Sequence, residues 1–189
     1  MKAVRARLLA ALLPLLASLP LAAQNDFAKN LAPYVPSPYA VVDRMLELAE
    51  VKPGETVYDL GCGDGRVLFS AIRKFKAQAV GVELSPVLYE STQREVRRQG
   101  LEDRIKVLHG HLLEVDLSGA DVVTLYLLTD SNEKLKPNLE KYLKSGARVV
   151  SHDFQMRNWV PERVEKVEAA NRLHTIYVYK MPPKKLEPQ

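Results

Sequence analysis

The chain has 189 residues, 47% of them hydrophobic and 26% charged, which suffices for one domain with a buried core and excludes a disordered or fibrous protein. Its formal charge of +4 suggests a polyanion partner, but removing Lys2, Arg5 and Arg7 of the N-terminal leader from the 27 basic groups leaves 24 against 23 acidic ones, so no nucleic-acid partner is expected. The single cysteine, Cys62, excludes an intrachain disulfide, and four histidines without tight ligand spacing give no expectation of a metal site.

The N terminus has the form of a targeting segment: basic "MKAVRAR", apolar "LLAALLPLLASLPLAA", then polar "QND". The apolar part falls short of the roughly 20 residues of a spanning helix and is interrupted by Pro14 and Pro20. Residues 1–23 are therefore expected to be a signal peptide that exports the protein or, left uncleaved, an anchor that associates it with the membrane. Residues 24–39, proline-punctuated and aromatic, read as an arm or linker.

From Tyr39 the pattern turns helical, with Val41, Val42, Met45, Leu46 and Leu48 forming an apolar stripe that ends before "KPGE". "TVYDL" is a short buried strand, and "RVLFSAIRKF" returns to helical spacing through Val67, Leu68, Ala71, Ile72 and Phe75. "AVGVEL" is the second strand. Ser85 can then cap a helix with Pro86 preset for its first position, and Gly100 suits its left-handed stop. "RIKVLHG" and "DVVTLYLL" are the third and fourth strands, followed by a helical stretch that Pro137 must break or restart, and then by a fifth strand, "ARVVSHDF". "ERVEKVEAA" and "LHTIYVYK" close the pattern as a hairpin turning near Asn171 and Arg172. Such alternation predicts an α/β, doubly wound, mostly parallel seven-stranded sheet with a C-terminal antiparallel hairpin, over residues 40–180, with a tail at 181–189. Ligands of such sheets bind outside the carboxyl ends of the strands.

The glycines at 61, 63 and 65 follow the first strand in "DLGCGDGR". A dinucleotide G-x-G-x-x-G turn needs its third glycine where this chain has Arg66, and no Gly-Lys-Ser/Thr follows to make a P-loop. The pattern D-x-G-x-G-x-G, Asp59 to Gly65, resembles the first motif of class I S-adenosylmethionine-dependent methyltransferases, whose fold is Rossmann-like. The spacing suits that cofactor. Bare glycine backbone at Gly61, Gly63 and Gly65 admits the ligand, and the helix starting near Arg66 offers amides to its carboxylate. Asp59 is placed to accept from its ammonium, and Glu83, 24 residues later at the end of the second strand, to take both ribose hydroxyls. The bland alternatives are that Asp59 only ends a strand in a structural turn and that Cys62 only fills a tight place.

"YVPSP", "DLGCGDGR", the strand-end Glu83 and "VVSHDFQMRNW" together resemble a family of bacterial proteins and mitochondrial lysine methyltransferases acting on the adenine nucleotide translocase and the ATP synthase c-subunit. The likeness spans Tyr34 to Trp159. It implies S-adenosyl-L-methionine as cofactor and a protein lysine as acceptor; the alternatives are a small-molecule or lipid acceptor, or a module that binds the cofactor without turnover. By the same resemblance Tyr34, Pro36, Ser37 and Pro38 fold over the cofactor as a lid, the alternative being a tether to the leader. His111 stands where an acidic group often meets the adenine amine, and its neutral ring can accept that bond. Tyr126 can face the sulfonium by a cation–π contact. His152 or Asp153 assists or orients the acceptor amine as catalytic groups, the alternative being that they only satisfy the strand end. Trp159 reads as a packing anchor.

Overall fold

The computed structural model describes residues 32–186, so the 1–23 leader, the first part of the arm and the last three residues lie outside the described residues. Among the described residues, no helix is long and apolar enough to cross a membrane.

Helix α1 (Tyr39–Leu48) buries the five apolar residues that its spacing singles out. Strand β1 (Thr56–Leu60) leads through the glycine turn into α2 (Arg66–Phe75), and β2 (Gln78–Glu83) into α3 (Pro86–Arg98). Ser85 Oγ caps α3 by accepting from the Leu88 amide. Gly100, at φ 64°, ends it in the left-handed conformation, with the Leu101 amide donating back to the Val96 carbonyl. Strand β3 (Ile105–His109), a 3-10 turn (Leu112–Glu114) and β4 (Val122–Leu125) precede α4 (Thr129–Tyr142), after which come β5 (Arg148–His152), the short β6 (Trp159–Val160), β7 (Arg163–Ala169), β8 (Arg172–Lys180) and the short β9 (Lys184–Lys185).

The main sheet runs β3-β2-β1-β4-β5-β8-β7, with β1 to β5 parallel and β8 antiparallel to both β5 and β7. Its two faces are buried by alternate residues of the same strands: Val57, Val122 and Val150 join α1 and α2 in one core, and Leu60, Val123 and Val149 join α4 in the other. Because the strand order reverses between β1 and β4, the chain leaves a crevice at the carboxyl ends of those two strands.

Three expectations are corrected. Pro137 neither breaks nor restarts its helix, for α4 runs unbroken through it from Thr129 to Tyr142. The flanking Leu135 and Leu139 are fully buried, and their packing offsets the backbone bond that proline removes. Strand β4 stops at Leu125, three residues before the expected end at Leu128, since the chain must leave the sheet before α4 begins at Thr129. The 181–189 segment starts as structure, since β9 pairs antiparallel with β6. That pairing adjoins Trp159, 1% exposed and edge-on to Tyr179 with ring centroids 5.7 Å apart.

Candidate active site

The glycine turn has left-handed backbone at Gly63 (φ 52°) and Gly65 (φ 77°), and neither position has room for a side chain. A Cβ on Gly63 would stand 2.5 Å from the Tyr34 ring, and one on Gly65 would stand 2.7 Å from Thr92 Cγ2. The turn is held from β2 and α3: the Gly61 and Cys62 amides donate to the Val82 carbonyl at 2.9 and 3.0 Å, and Thr92 Oγ1 donates to the Gly63 carbonyl at 2.7 Å. Cys62 is buried against Gly81, where a Cβ would meet its Sγ at 2.6 Å, and burial pushes its thiol well up, so it is a filler and no nucleophile.

Two strand-end carboxylates face this turn. Glu83 accepts from the Gly63 amide through Oε2 (2.9 Å) and from the Ser85 amide through Oε1 (2.8 Å), which fixes the carboxylate at the crevice with a lone pair to spare on each oxygen. Asp59 is 8% exposed and accepts from Thr124 Oγ1 at 2.7 Å. Burial pushes its carboxyl up to about 7; the Thr124 bond opposes that shift, and the neighbouring Glu83 and Asp64 reinforce it.

The arm closes over the turn. Arg66 grips Asp64 with two parallel bonds (Nε to Oδ1 2.9 Å, Nη2 to Oδ2 2.6 Å), donates through Nη1 to the Ser37 carbonyl at 2.5 Å, and lies over the Tyr39 ring at 5.0 Å. A crevice of about 180 Å3 opens among Tyr34, Gly61, Glu83, His111, Tyr126 and Leu127, and a smaller one of about 40 Å3 runs beneath Pro36 and Ser37 to Asp59. The structure thus brings Tyr34, Gly61, Glu83, His111 and Tyr126 to one crevice. A roomier depression of about 550 Å3, lined by Gln78 and Arg104, contains no residue of the glycine turn and no strand-end carboxylate. His111 also accepts from the Leu113 amide through Nδ1 at 3.3 Å.

Beside the crevice lies a polar cluster that the sequence names only in part. His152, with no exposed surface, stacks on Tyr126 at 3.8 Å between centroids. Its Nδ1 meets Ser37 Oγ and its Nε2 meets His174 Nδ1, both at 2.8 Å. The tautomers follow from the ends of the chain: a guanidinium nitrogen of Arg172 only donates to His174 Nδ1 (3.0 Å), and the Ala169 carbonyl only accepts from His174 Nε2 (3.2 Å). His174 is therefore protonated on Nε2, His152 donates through Nε2, and the Ser37 hydroxyl donates to His152 Nδ1. Burial drives the His152 pKa down to about 4, against the pull of Asp153 and with reinforcement from His174 and Arg172, so its ring is neutral at pH 7. It has no surface of its own in the crevice and meets the arm through Ser37.

Asp153 closes β5 in the left-handed region, at φ 59°. Its amide donates to the Thr175 carbonyl (2.7 Å), and its Oδ1 accepts from the Thr175 amide (2.8 Å). Burial works against its ionisation, but the Thr175 amide and the neighbouring His152, Arg172 and His174 outweigh it and hold the carboxyl below its usual range. Thr124, Arg172 and His174 escaped the sequence reading. His174 carried a signal, since it alternates with Ile176 and Val178 on the buried face of β8, where a histidine needs partners.

Comparison with known proteins agrees on methyl transfer, while the acceptors named for the relatives differ. The family model described as the ANTKMT methyltransferase domain matches residues 59–163. A protein-lysine N-methyltransferase of Saccharolobus islandicus is 49% identical over 78% of this chain and 92% of its own length. The mouse adenine nucleotide translocase lysine N-methyltransferase is 33% identical over 70% of this chain, which spans 57% of that protein. A crystal structure described as an RNA methyltransferase from Salinibacter ruber in complex with S-adenosyl-L-homocysteine superposes with TM-score 0.75 at 43% identity, over 82% of this chain and 98% of that one.

Proposed function

The chain belongs to the ANTKMT methyltransferase domain family, and on that premise we propose that it is a protein-lysine N-methyltransferase using S-adenosylmethionine. The observation that carries the acceptor is the 49% identity with a named protein-lysine N-methyltransferase along nearly the whole length of that protein.

The crevice residues fit the cofactor. Gly61 presents backbone to the crevice, the absence of side chains at Gly63 and Gly65 lets Tyr34 and Thr92 pack against the turn, and Glu83 and Asp59 offer two fixed carboxylates at the ends of β2 and β1. In this reading Glu83 takes the ribose hydroxyls, Asp59 the ammonium, His111 the adenine edge, and Tyr34 and Ser37 cover the site from the arm. Bound there, S-adenosylmethionine supplies an electrophilic methyl carbon: the acceptor nitrogen forms the new N–C bond as the C–S bond breaks, leaving S-adenosylhomocysteine.

The protein's own part is positioning and desolvation. Tyr126, which lines the crevice and is stacked on the buried His152, in this reading offers its ring face to positive charge. A lysine must shed one proton before it attacks, and in this reading Asp153 receives or passes that proton, while His152 acts on the arm by accepting from Ser37. Holding nitrogen, carbon and sulfur in line in a site closed by the arm supplies most of the rate, so no strong base is needed.

The test is mass spectrometry of lysates from a deletion strain incubated with the purified protein and a deuterated methyl donor. Trideuteromethyl-lysine in a protein supports the proposal, and label confined to RNA, lipid or small molecules refutes it.

A further inference from the structure

Three stretches of chain surround the mouth of the crevice: residues 32–42, running from the arm into α1, residues 84–89, which follow β2, and residues 126–129, which follow β4. None of the three contains a charged residue, although 26% of the chain is charged. The first charge after each stretch is paired: Asp43 with Lys74, Glu90 with Arg94 and Asp130 with Arg157. Among the described residues nine large hydrophobic side chains are exposed, and five of them, Tyr34, Val35, Tyr39, Val87 and Leu128, stand on these stretches, with Val87 at 73%. An uncharged apolar rim on an otherwise charged protein marks a contact face. The sequence just upstream points to its occupant. Residues 8–23, "LLAALLPLLASLPLAA", carry no charge, and the eight residues 24–31 that join them to Ala32, at the crevice, reach at most about 30 Å when extended. A bilayer that takes up the leader is therefore held within reach of the crevice mouth. A neutral lipid surface needs no charge complement, and it suits Tyr34 and Tyr39, whose rings pair an apolar body with a polar tip.

We propose that this uncharged rim docks on the lipid surface of the membrane that takes up the leader, so that the crevice opens toward the bilayer. The leader is then an uncleaved tether and the rim a second contact with the same surface, each raising the effective concentration of the other. The rim binds by burying apolar area at the headgroup boundary, with Val87 and Leu128 on one side of the mouth and the arm on the other. The consequence for the acceptor rests on the lysine reading above. Lysine side chains next to apolar segments extend their ammonium to the lipid boundary, and a mouth pressed to that boundary favours them over lysines of proteins in solution.

The experiment uses the full chain reconstituted with phosphatidylcholine vesicles, with and without bromine on the acyl chains. Cys62 is buried and its thiol is pushed well up, so a fluorescent thiol reagent labels the Val87→Cys and Leu128→Cys proteins at the rim, and the Ser145→Cys protein at the amino end of β5, on the opposite edge of the sheet. Brominated chains should quench the dye at Val87→Cys and at Leu128→Cys at least fivefold more than the dye at Ser145→Cys, while S-adenosylhomocysteine affinity stays within twofold of the unaltered protein in all three. Rim dyes quenched no more than the Ser145→Cys dye, in protein that floats with the vesicles, would mean that the leader alone holds the protein there and would overturn the proposal. Failure of the full chain to float with the vesicles overturns it too, as do rim dyes that ignore bromine but quench one another as protein per vesicle rises, which would assign the rim to a second copy of the chain. Because no methyl transfer is read, bromine quenching at the rim of a protein that never labels lysine would leave the lipid contact standing and sink only the lysine reading.

Discussion

Asp59 and His152 titrate in opposite directions, and replacing Asp59 by asparagine separates them. Asp59 has a folded pKa of about 7 against an unfolded value near 3.8, so its contribution to stability is fully present below pH 3.8 and is lost as pH rises through 7. A shift of about 3 units corresponds to up to about 4 kcal/mol lost by pH 8. His152 has a folded pKa of about 4 against 6.5 unfolded, so its contribution is present above pH 6.5 and is lost as pH falls toward 4. In the unaltered protein the two slopes oppose one another between about pH 4 and 6.5, and these two contributions nearly cancel there. The amide of the Asp59→Asn variant would keep an oxygen for the Thr124 hydroxyl without the buried charge. Urea unfolding from pH 4 to 8 should find Asp59→Asn more stable than the unaltered protein by up to about 4 kcal/mol at pH 8, with the gap closing toward pH 4. The variant should also show the His152 limb alone, rising by about 1.4 kcal/mol per pH unit from 4 to 6.5. Asp59→Asn no more stable than the unaltered protein at pH 8, or a gap independent of pH, would refute the reasoning.

Glu83→Ala leaves the Gly63 and Ser85 amides without their acceptor, at about 1–3 kcal/mol each, and should weaken S-adenosylmethionine by about 30-fold or more in calorimetry; unchanged affinity would remove Glu83 from the cofactor site. Gly63→Ala places a methyl group against the Tyr34 ring and should displace the arm, so that its effect on cofactor affinity shrinks in a Tyr34→Ala background; additive effects in the double-mutant cycle would separate the arm from the turn. Ser37→Ala should cost about 1 kcal/mol in urea unfolding by removing the donor to His152 Nδ1, and a change below about 0.3 kcal/mol would mean that the bond contributes nothing. Residues 1–23 are proposed to export or anchor the protein; cell fractionation should recover it in the periplasm with a mature N terminus near Gln24, or in the membrane pellet with Met1 intact, and intact protein in the soluble cytosol would refute both.

The parallel core was legible because its signals are local. Val41, Val42, Met45, Leu46 and Leu48 repeat at helical spacing, Ser85 and Pro86 announce a helix start, and Gly100 announces a stop, each within a few residues. Pro137 misled because its local cost is outweighed by the burial of Leu135 and Leu139, which depends on β4 and β5 packing from elsewhere. The glycine turn was equally legible, since a turn between one strand and the next helix is contiguous in sequence. The polar cluster beside the crevice was legible only in part. Ser37, His152 and His174 come from the arm, β5 and β8, at sequence separations of 115 and 22 residues; the antiparallel pairing of β8 with β5 brings the two histidines together, and the arm, held by Arg66, brings Ser37 to them. Arg172 looked like a hairpin turn residue, and its bonds to Tyr126 and Asp153 exist only once that hairpin is docked.

The most direct test of methyl transfer to protein lysine is to incubate the purified full chain and its Glu83→Ala variant with tritiated S-adenosylmethionine and a cell lysate, then divide the label by proteinase and nuclease sensitivity and hydrolyse the protein fraction. The account predicts proteinase-sensitive label recovered as methylated lysine with the unaltered protein and nearly none with the variant. Nuclease-sensitive label, or equal labelling by both proteins, would contradict it.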